Sequence, residues 1–369
     1  MESIYTPMPK HRTEDFDCSI IMVAVTRAQT RTKCYEIAMN TPVRTAVRIW
    51  NTRTLLQYAE SCMLKPDIGT AVIELEVAFS ENTPFSLLTL RKCLQLMPNI
   101  NDLILRLPSC SPRVTLSGLR FPSLQLVESN LLHRVMVPFI EQHPTINYLL
   151  LGPCEGGRRC PLHATSLDNV TDLRLPLGCL SDLANPSISR LHAFLTDQIL
   201  SSSTILRTLR SYSSLYSLTV EFRNDDYDIL CGISGLAPTL RKLRLLVQPS
   251  FQRRERQSRR AWNNTVIWAR DLRRLQRLEE LLIQVDNALV NNPRAEDEEE
   301  MLIYKWLSGR SCPTDDWTGS HIHPTLYHIG IWYYEVSYVS SIVSDWWKDV
   351  PRWCRRYQYE GQMSQDQFI

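Results

Sequence analysis

The fold is decided by an octet that the chain repeats. Residues 98–105 read PNINDLIL, residues 144–151 read PTINYLLL and residues 238–245 read PTLRKLRL, with apolar side chains at the third, sixth and eighth positions. Proline fixes φ and has no N–H to donate, so it suits the approach to a strand and is costly inside one. The last two apolar positions alternate as the inward side chains of a strand do. Each octet therefore predicts a short strand with one buried side and one exposed side.

The apolar triplet of this octet occurs ten times, and most first positions lie 18 to 28 residues apart. Ser129 is its one polar member, and proline precedes six triplets by two residues, as Pro98, Pro122, Pro144, Pro186, Pro238 and Pro324. The ten triplets are Val72/Leu75/Val77, Ile100/Leu103/Leu105, Leu124/Val127/Ser129, Ile146/Leu149/Leu151, Val170/Leu173/Leu175, Ile188/Leu191/Ala193, Leu215/Leu218/Val220, Leu240/Leu243/Leu245, Leu278/Leu281/Ile283 and Leu326/Ile329/Ile331.

The spacing between triplets leaves room for helical returns, as Leu87, Leu90, Leu94 and Met97 on one helix face indicate. Because a strand, a crossover and a parallel strand almost always wind right-handed, stacked units predict a right-handed α/β solenoid of leucine-rich-repeat type. Its parallel sheet would line the concave face, and its helices would cover the convex face. A doubly wound α/β domain is the alternative, although ten strands at this period exceed what such sheets usually hold.

Composition and charge indicate which kinds of partner and which cellular compartment to expect. The formal net charge of +2 gives no global field that would recruit nucleic acid, an anionic membrane or an acidic substrate. The eleven cysteines are an odd number, and the N-terminus lacks the layout of a secretory signal, which together predict free thiols in a reducing compartment. No apolar run approaches the length of a membrane span. A soluble cytoplasmic protein is predicted, and the nucleus is the alternative location.

The chain is predicted to have two parts. Residues 1–60 form a helical N-terminal region, and residues 61–369 form the solenoid, with insertions near 250–277 and 290–320. The last forty residues are rich in tryptophan and tyrosine. Aromatic residues with one polar end suit a surface that is partly buried and partly wet, so this stretch is predicted to be a cap over the last strand. A binding hot spot is the alternative.

From residue 31 onward the chain resembles the leucine-rich-repeat F-box proteins that are abundant in mushroom-forming fungi. The resemblance rests on LLGPC at residues 150–154 after HPTI at 143–146, and on LLQYAESC at 55–62 ahead of AVIEL at 71–75. It implies a non-catalytic substrate-recognition adaptor of a cullin-type ubiquitin ligase, with the ligase linker subunit as one partner and a protein target on the concave face. A stand-alone repeat scaffold is the alternative.

The N-terminus departs from the pattern of that family. Nothing before Ile20 supplies the usual Leu-Pro opening of an F-box, while SIIMVAV at residues 19–25 and CYEIA at 34–38 are similar to its later part. The segment is interpreted as a truncated or degenerate F-box. A helical cap that shields the open end of the solenoid is the alternative, since every repeat array needs one.

The candidate sites for chemistry are weak, so no enzymatic activity, cofactor or metal is predicted. Cys154, Cys160, His163 and Cys179 include suitable zinc ligands, but Cys154 and Cys160 enclose five residues where structural zinc pairs usually enclose two to four. His321 and His323 lack a third ligand and are interpreted as solvated loop residues. The CGISG stretch at 231–235 is one residue short of a nucleophile elbow and is predicted to be a turn.

An arginine-rich stretch raises a second functional class. Nine arginines between Arg253 and Arg277 face only two acids, with Trp262 and Trp268 interleaved. Arginine and aromatic side chains together can bind nucleic acid. The favoured interpretation is an exposed helical insertion whose arginine stems lie over the tryptophans. Residues 296–300, all acidic, are predicted to belong to a second exposed, mobile insertion.

The binding surface follows from the strand pattern, because the residue between the last two apolar positions points away from the core. These concave-face candidates are Glu76, Ile104, Glu128, Leu150, Arg174, His192, Thr219, Arg244 and Leu282, with Gly330 continuing the row. Mixed acidic, apolar and basic chemistry suits a protein ligand. Protein recognition is therefore predicted along this row.

Overall fold

The computed structural model describes residues 45–81, 83–108, 116–154, 159–183, 187–196, 201–208, 212–248, 261–285, 289–290, 296–309, 323–334, 341–349 and 352–361. The chain divides into two units, Met1–Thr45 and Ala46–Ile369. Nearly all described residues belong to the second unit. The segment interpreted as a degenerate F-box or a cap lies outside the described residues.

A single sheet of thirteen strands runs through the second unit, and its strands follow one another in chain order. From β2 to β11 every neighbouring pair is parallel. The strands are β1 (Thr45–Ile49), β2 (Val72–Ala78), β3 (Asp102–Arg106), β4 (Leu126–Ser129), β5 (Tyr148–Leu151), β6 (Asp172–Pro176), β7 (Arg190–Phe194), β8 (Ser217–Phe222), β9 (Lys242–Val247), β10 (Glu280–Val285), β11 (His328–Tyr334), β12 (Ser341–Asp349) and β13 (Arg352–Gly361).

Helical returns connect the strands. Those described are α1 (Thr52–Leu64), α2 (Pro66–Thr70), α3 (Leu87–Gln95), α4 (His133–Glu141), α5 (Ser202–Thr208), α6 (Ile229–Leu236), α7 (Thr265–Leu272) and α8 (Glu296–Ser308), with 3₁₀ turns at Pro161–Ala164, Leu177–Asp182 and Ala261–Asn263. Side-chain oxygens cap the N-termini of α1, α3 and α7, since Asn51 accepts from the Thr54 N–H, Ser86 from the Thr89 N–H and Asn264 from the Ile267 N–H. Strand and return alternate as the spacing predicts, and the chain is an α/β solenoid of leucine-rich-repeat type.

The apolar triplets form the core. Their second positions are aligned in register on ten neighbouring strands and are all buried, as Leu75, Leu103, Val127, Leu149, Leu173, Leu191, Leu218, Leu243, Leu281 and Ile329. Every first position of the triplets is buried as well. The strand order runs straight through the sheet, so the doubly wound alternative, whose order reverses, is wrong.

Prolines before the triplets lie in a tight turn that precedes the strand, and not at the first residue of the strand. Leu124, Ile146 and Leu240 donate their backbone N–H to the carbonyl three residues earlier, which closes a four-residue turn. The prolines Pro122 and Pro144 thus take the second position of such turns, where a fixed φ fits and no N–H is needed. The turn delivers the first apolar side chain of each triplet into the core.

Several segments are more ordered than the sequence suggested. The sheet begins at Thr45 rather than after residue 60. The CGISG stretch lies in α6 and is not a turn, because Ile229, Leu230 and Ile233 are buried and hold the segment on the core. Residues 296–300 begin α8, and Glu299 is fully buried. The two predicted insertions therefore contain return helices that pack on the solenoid.

The aromatic C-terminal stretch extends the sheet. Strand β12 pairs antiparallel with β11 and with β13, so the end of the sheet is a meander, which the sequence pattern did not predict. Trp346 and Trp353 are buried against it. Glu299 of α8 accepts hydrogen bonds from Tyr333 Oη (2.6 Å), Ser344 Oγ (3.1 Å) and Trp346 Nε1 (2.8 Å). A buried carboxylate thus holds the last helix to the last strands.

Candidate functional site

The predicted binding residues lie in one continuous line across the sheet, which we call the middle row. Its members are Glu76, Ile104, Glu128, Leu150, Arg174, His192, Thr219, Arg244, Leu282 and Gly330, each in register with the next. All except Gly330 are half-buried. Leu282 covers Gly330 so closely that a Cβ there would collide with it. The middle row therefore presents a nearly continuous surface on the side of the sheet opposite the apolar triplets.

Ion pairs neutralise the first part of the middle row. Arg48 of β1 contacts Glu76 at 3.1 Å. Arg106 bridges the next strands, with Nη1 3.2 Å from Glu76 and Nη2 2.8 Å from Glu128. Because these arginines are largely exposed, the pairs contribute little to stability. Their effect is to balance the acidic charges that the sequence places at this end.

The centre of the middle row is basic and contains a neutral histidine. His192 lies between Arg174 and Arg244, three strands apart, and its pKa is lowered to about 3, mainly by burial and further by these two arginines. The Arg174 guanidinium also lies over the Phe194 ring at 5.8 Å. Among described residues His192 Nε2 has no hydrogen-bond partner. This part of the row offers two cations separated by neutral polar groups.

One carboxylate borders this centre. Glu221 of β8 accepts hydrogen bonds from the Leu195 N–H (2.9 Å) and from Gln248 Nε2, and burial raises its pKa. The positive charge of Arg174 acts in the opposite direction and lowers the pKa of Glu221. The basic centre is therefore bordered by a carboxyl group that two donors hold in place.

His192 makes the stability of the chain depend on pH in a defined direction. In the unfolded chain the histidine takes up a proton near its ordinary pKa, but in the folded chain only near 3. Acidification from pH 6.5 thus favours the unfolded state, by about 1–2 kcal/mol at pH 5. Urea unfolding at pH 7 and pH 5 should show a smaller loss for His192→Gln than for the wild type, whereas the exposed His163→Gln should behave as wild type. Equal losses in all three proteins would contradict the assignment.

A second group of chemically active residues lies where three neighbouring strands leave the sheet. His133 begins α4 after β4, Cys154 follows β5, Cys160 precedes the Pro161–Ala164 turn, and Cys179 lies in the Leu177–Asp182 turn after β6. One potential ligand atom from each residue lies within 4.8 Å of all the others. His133, Cys160 and Cys179 are buried, and Cys154 is half-buried. We call these four residues the Cys-His cluster.

Hydrogen bonds orient the ring and the thiols of this cluster. His133 Nε2 is 3.0 Å from the Gly152 carbonyl oxygen, to which only an N–H can donate. His133 Nδ1 therefore faces the sulfurs, 3.2 Å from Cys160 Sγ and 3.8 Å from Cys179 Sγ. A hydrogen bond from the Cys179 thiol lowers the pKa of Cys160 to about 4, and the same contact together with burial raises the pKa of Cys179. All three cysteines are thiols rather than disulfides.

The cluster differs from the group considered in the sequence. His163 is exposed and its Nδ1 instead contacts the Cys160 carbonyl oxygen at 2.7 Å, while His133, which the sequence did not single out, takes its place. The spacing of five residues between Cys154 and Cys160 counts against a metal site only when both ligands come from one short sequence motif. Here the four residues come from three successive returns. The signal that was missed is the register, since His133, Cys154 and Cys179 each follow a strand end by three or four residues.

Histidines that precede proline have structural roles. His323 is buried, not solvated; its Nε2 contacts the Leu272 and Leu275 carbonyl oxygens at 3.1 and 3.0 Å, and its Nδ1 accepts from the Leu326 N–H. His143 likewise accepts from the Phe121 N–H and is buried. Burial lowers the pKa of both. His321 lies outside the described residues.

The basis for nucleic-acid binding is weaker than the sequence suggested. Trp262 and Trp268 are fully buried, so neither ring is available to stack on a base. Trp268 packs on Trp306 of α8 with 5.1 Å between ring centroids. Arg270 and Arg274 pair with the buried Asp271. The arginines from Arg253 to Arg260 lie outside the described residues.

The sequence matches no protein-family model and none of the curated proteins. Among solved structures, the fold is similar to the leucine-rich repeat-containing protein LegL7 from Legionella pneumophila. The TM-score is 0.42 and the sequence identity 11%, and the match covers 77% of this chain and 82% of that chain. None of the helices in the described ranges has the length and apolar character needed to cross a bilayer. The resemblance to F-box proteins stays a prediction.

Proposed function

We propose that the chain is a non-catalytic protein-interaction module that binds a partner along the middle row. The observation that carries this proposal is the alignment of half-buried acidic, apolar and basic side chains on nine adjacent strands, β2 to β10. Such a surface supplies apolar anchors, which carry affinity, beside charges, which select the partner. Repeat proteins in general use extended sheet surfaces of this kind for recognition.

The chemistry of the partner follows from the centre of the row. From β5 to β10 the row reads Leu150, Arg174, His192, Thr219, Arg244 and Leu282. Neighbouring strands are about 4.8 Å apart, so the two arginines are separated by about 14 Å. A fitting protein segment carries two acidic side chains at about that separation, with apolar side chains beyond them that cover the two leucines.

Charge reversal tests this proposal. A random peptide library displayed on phage is selected against the full chain, and the enriched peptides are titrated by fluorescence anisotropy. We expect enriched peptides to be acidic, and the double variant Arg174→Glu, Arg244→Glu to weaken their binding by at least about 30-fold, as for interface hot spots. The control is Arg53→Glu, Arg277→Glu, which reverses two exposed charges outside the strands. Equal binding by both double variants would contradict the proposal.

We further propose that the module is a substrate-recognition adaptor of a cullin-type ubiquitin ligase in the cytoplasm or nucleus. Support comes from the similarity of residues 19–25 and 34–38 to the later part of an F-box. The test is binding of the purified ligase linker subunit to the full chain and to a variant that lacks residues 1–44. The deletion ends there because β1 begins at Thr45. Binding by the full chain alone supports the adaptor role, whereas no binding by either leaves a stand-alone scaffold.

A further inference from the structure

We propose that the Cys-His cluster, His133, Cys154, Cys160 and Cys179, binds one Zn²⁺ ion. Three thiols and one imidazole are a common ligand set of structural zinc, which is tetrahedral and closed by four protein side chains. With Zn–S bonds of about 2.3 Å and Zn–N bonds of about 2.0 Å, a nitrogen and a sulfur of one tetrahedron lie about 3.5 Å apart. The two Nδ1–Sγ distances, 3.2 and 3.8 Å, bracket this value.

The histidine is prepared for this role by its second nitrogen. Metal-binding histidines almost always donate their other ring N–H to a carbonyl or carboxylate, which fixes the ring orientation and the tautomer. His133 Nε2 makes this bond to the Gly152 carbonyl at 3.0 Å. The backbone at Gly152 is itself confined, because a Cβ there would lie 2.7 Å from Asn130 Cα. The acceptor of the ring N–H is therefore held by close packing of neighbouring repeats.

The choice of zinc over other ions follows from the ligands and from burial. Thiolates are soft ligands, which disfavours magnesium and calcium, and no carboxylate takes part in the cluster. Four protein ligands leave no open position for water or substrate, so the site would be structural rather than catalytic. This agrees with the proposed role as a non-catalytic binding module.

The position of the cluster explains what the ion would stabilise. The returns after β5 and β6 contain 3₁₀ turns of four and six residues, whereas α3 and α4 have nine residues each. Shorter returns cover less of the apolar core and contribute less burial. A zinc ion bound at three successive returns would tie these two short returns to each other and to α4. Zinc binding would then add directly to the folding free energy of this region.

The test uses the full chain, purified without chelator and dialysed against buffered zinc. We expect one zinc per chain by mass spectrometry of the metal, and X-ray absorption that fits three sulfurs at about 2.3 Å and one nitrogen at about 2.0 Å. This spectroscopic measurement on the wild-type chain does not depend on whether a variant folds. Less than about one zinc per ten chains, or a disulfide between two of the cysteines, would overturn the proposal, as would iron as the bound metal.

Variants assign the ligands. Cys154→Ser and His133→Asn are expected to weaken zinc binding by at least about 100-fold, because changes to second-shell partners alone cost 10–100-fold. The matched controls are His163→Asn, which changes the exposed histidine near Cys160, and Cys231→Ser, which removes a thiol outside the cluster. Both controls should retain one zinc per chain. Wild-type affinity in the Cys154 and His133 variants would show that these residues do not hold the ion.

Discussion

Replacing Glu299 by alanine is expected to lower the free energy of unfolding by about 3–5 kcal/mol. The carboxylate is fully buried and accepts from Tyr333, Ser344 and Trp346, while Arg355 Nη1 lies 3.6 Å away. Alanine would leave three donors and a nearly buried guanidinium without this acceptor, and such losses are among the most costly single changes. Urea unfolding followed by tryptophan fluorescence measures the effect.

The control for this change is Asp297→Ala on the same helix, which removes an exposed carboxylate and is expected to cost less than about 0.5 kcal/mol. Glu299→Gln provides a second comparison. Burial raises the pKa of Glu299, so the folded chain holds this proton more tightly than the unfolded chain. The protonated side chain therefore stabilises the fold at low pH, and this stabilisation is lost as the pH rises from the ordinary pKa of a glutamate through the raised pKa of Glu299. The glutamine variant should lack that part of the pH dependence. Equal effects of the two alanine changes would contradict a structural role for Glu299.

Replacing Leu218 by alanine is expected to cost about 2–5 kcal/mol, because a fully buried leucine leaves a cavity in a close-packed core. The matched change is Thr219→Ala on the next residue of β8, whose side chain points to the other side of the sheet. It should change stability by less than about 0.5 kcal/mol. Urea unfolding measures both changes. If the dependence of the unfolding free energy on urea concentration is the same in both variants, the difference between their midpoints compares the two faces of one strand. A larger loss for Thr219→Ala would mean that the faces of the sheet are assigned the wrong way round.

Much of the fold could be predicted because its information is local. Spacing of three and then two residues fixes which side chains of a strand face the core, and repetition at a short period places those strands side by side in register. The same pattern predicted which residues form the middle row. The ion pairs of Arg48 and Arg106, and the burial that keeps His192 neutral, depend on side-chain positions that a spacing pattern does not specify.

The features that were missed depend on contacts between distant parts of the chain. The acidic run at residues 296–300 was interpreted as solvated, because nothing near it in sequence indicates that Glu299 meets donors 34 to 47 residues further on. His133 was not considered as a zinc ligand because it lies 21 residues before Cys154, one repeat away. The antiparallel meander of β11 to β13 was missed because its aromatic content indicated a cap but not the pairing of its strands.

Two distances along the middle row in solution test the stacked order of the strands. Spin labels at Ile104 and Thr219 are separated by five strand-to-strand spacings, and labels at Ile104 and Leu282 by seven. At about 4.8 Å per spacing, double electron–electron resonance should give a distance of about 24 Å for the first pair and about 34 Å for the second. A shorter distance for the second pair than for the first would contradict the stacked order of strands, and with it the binding surface that the order creates.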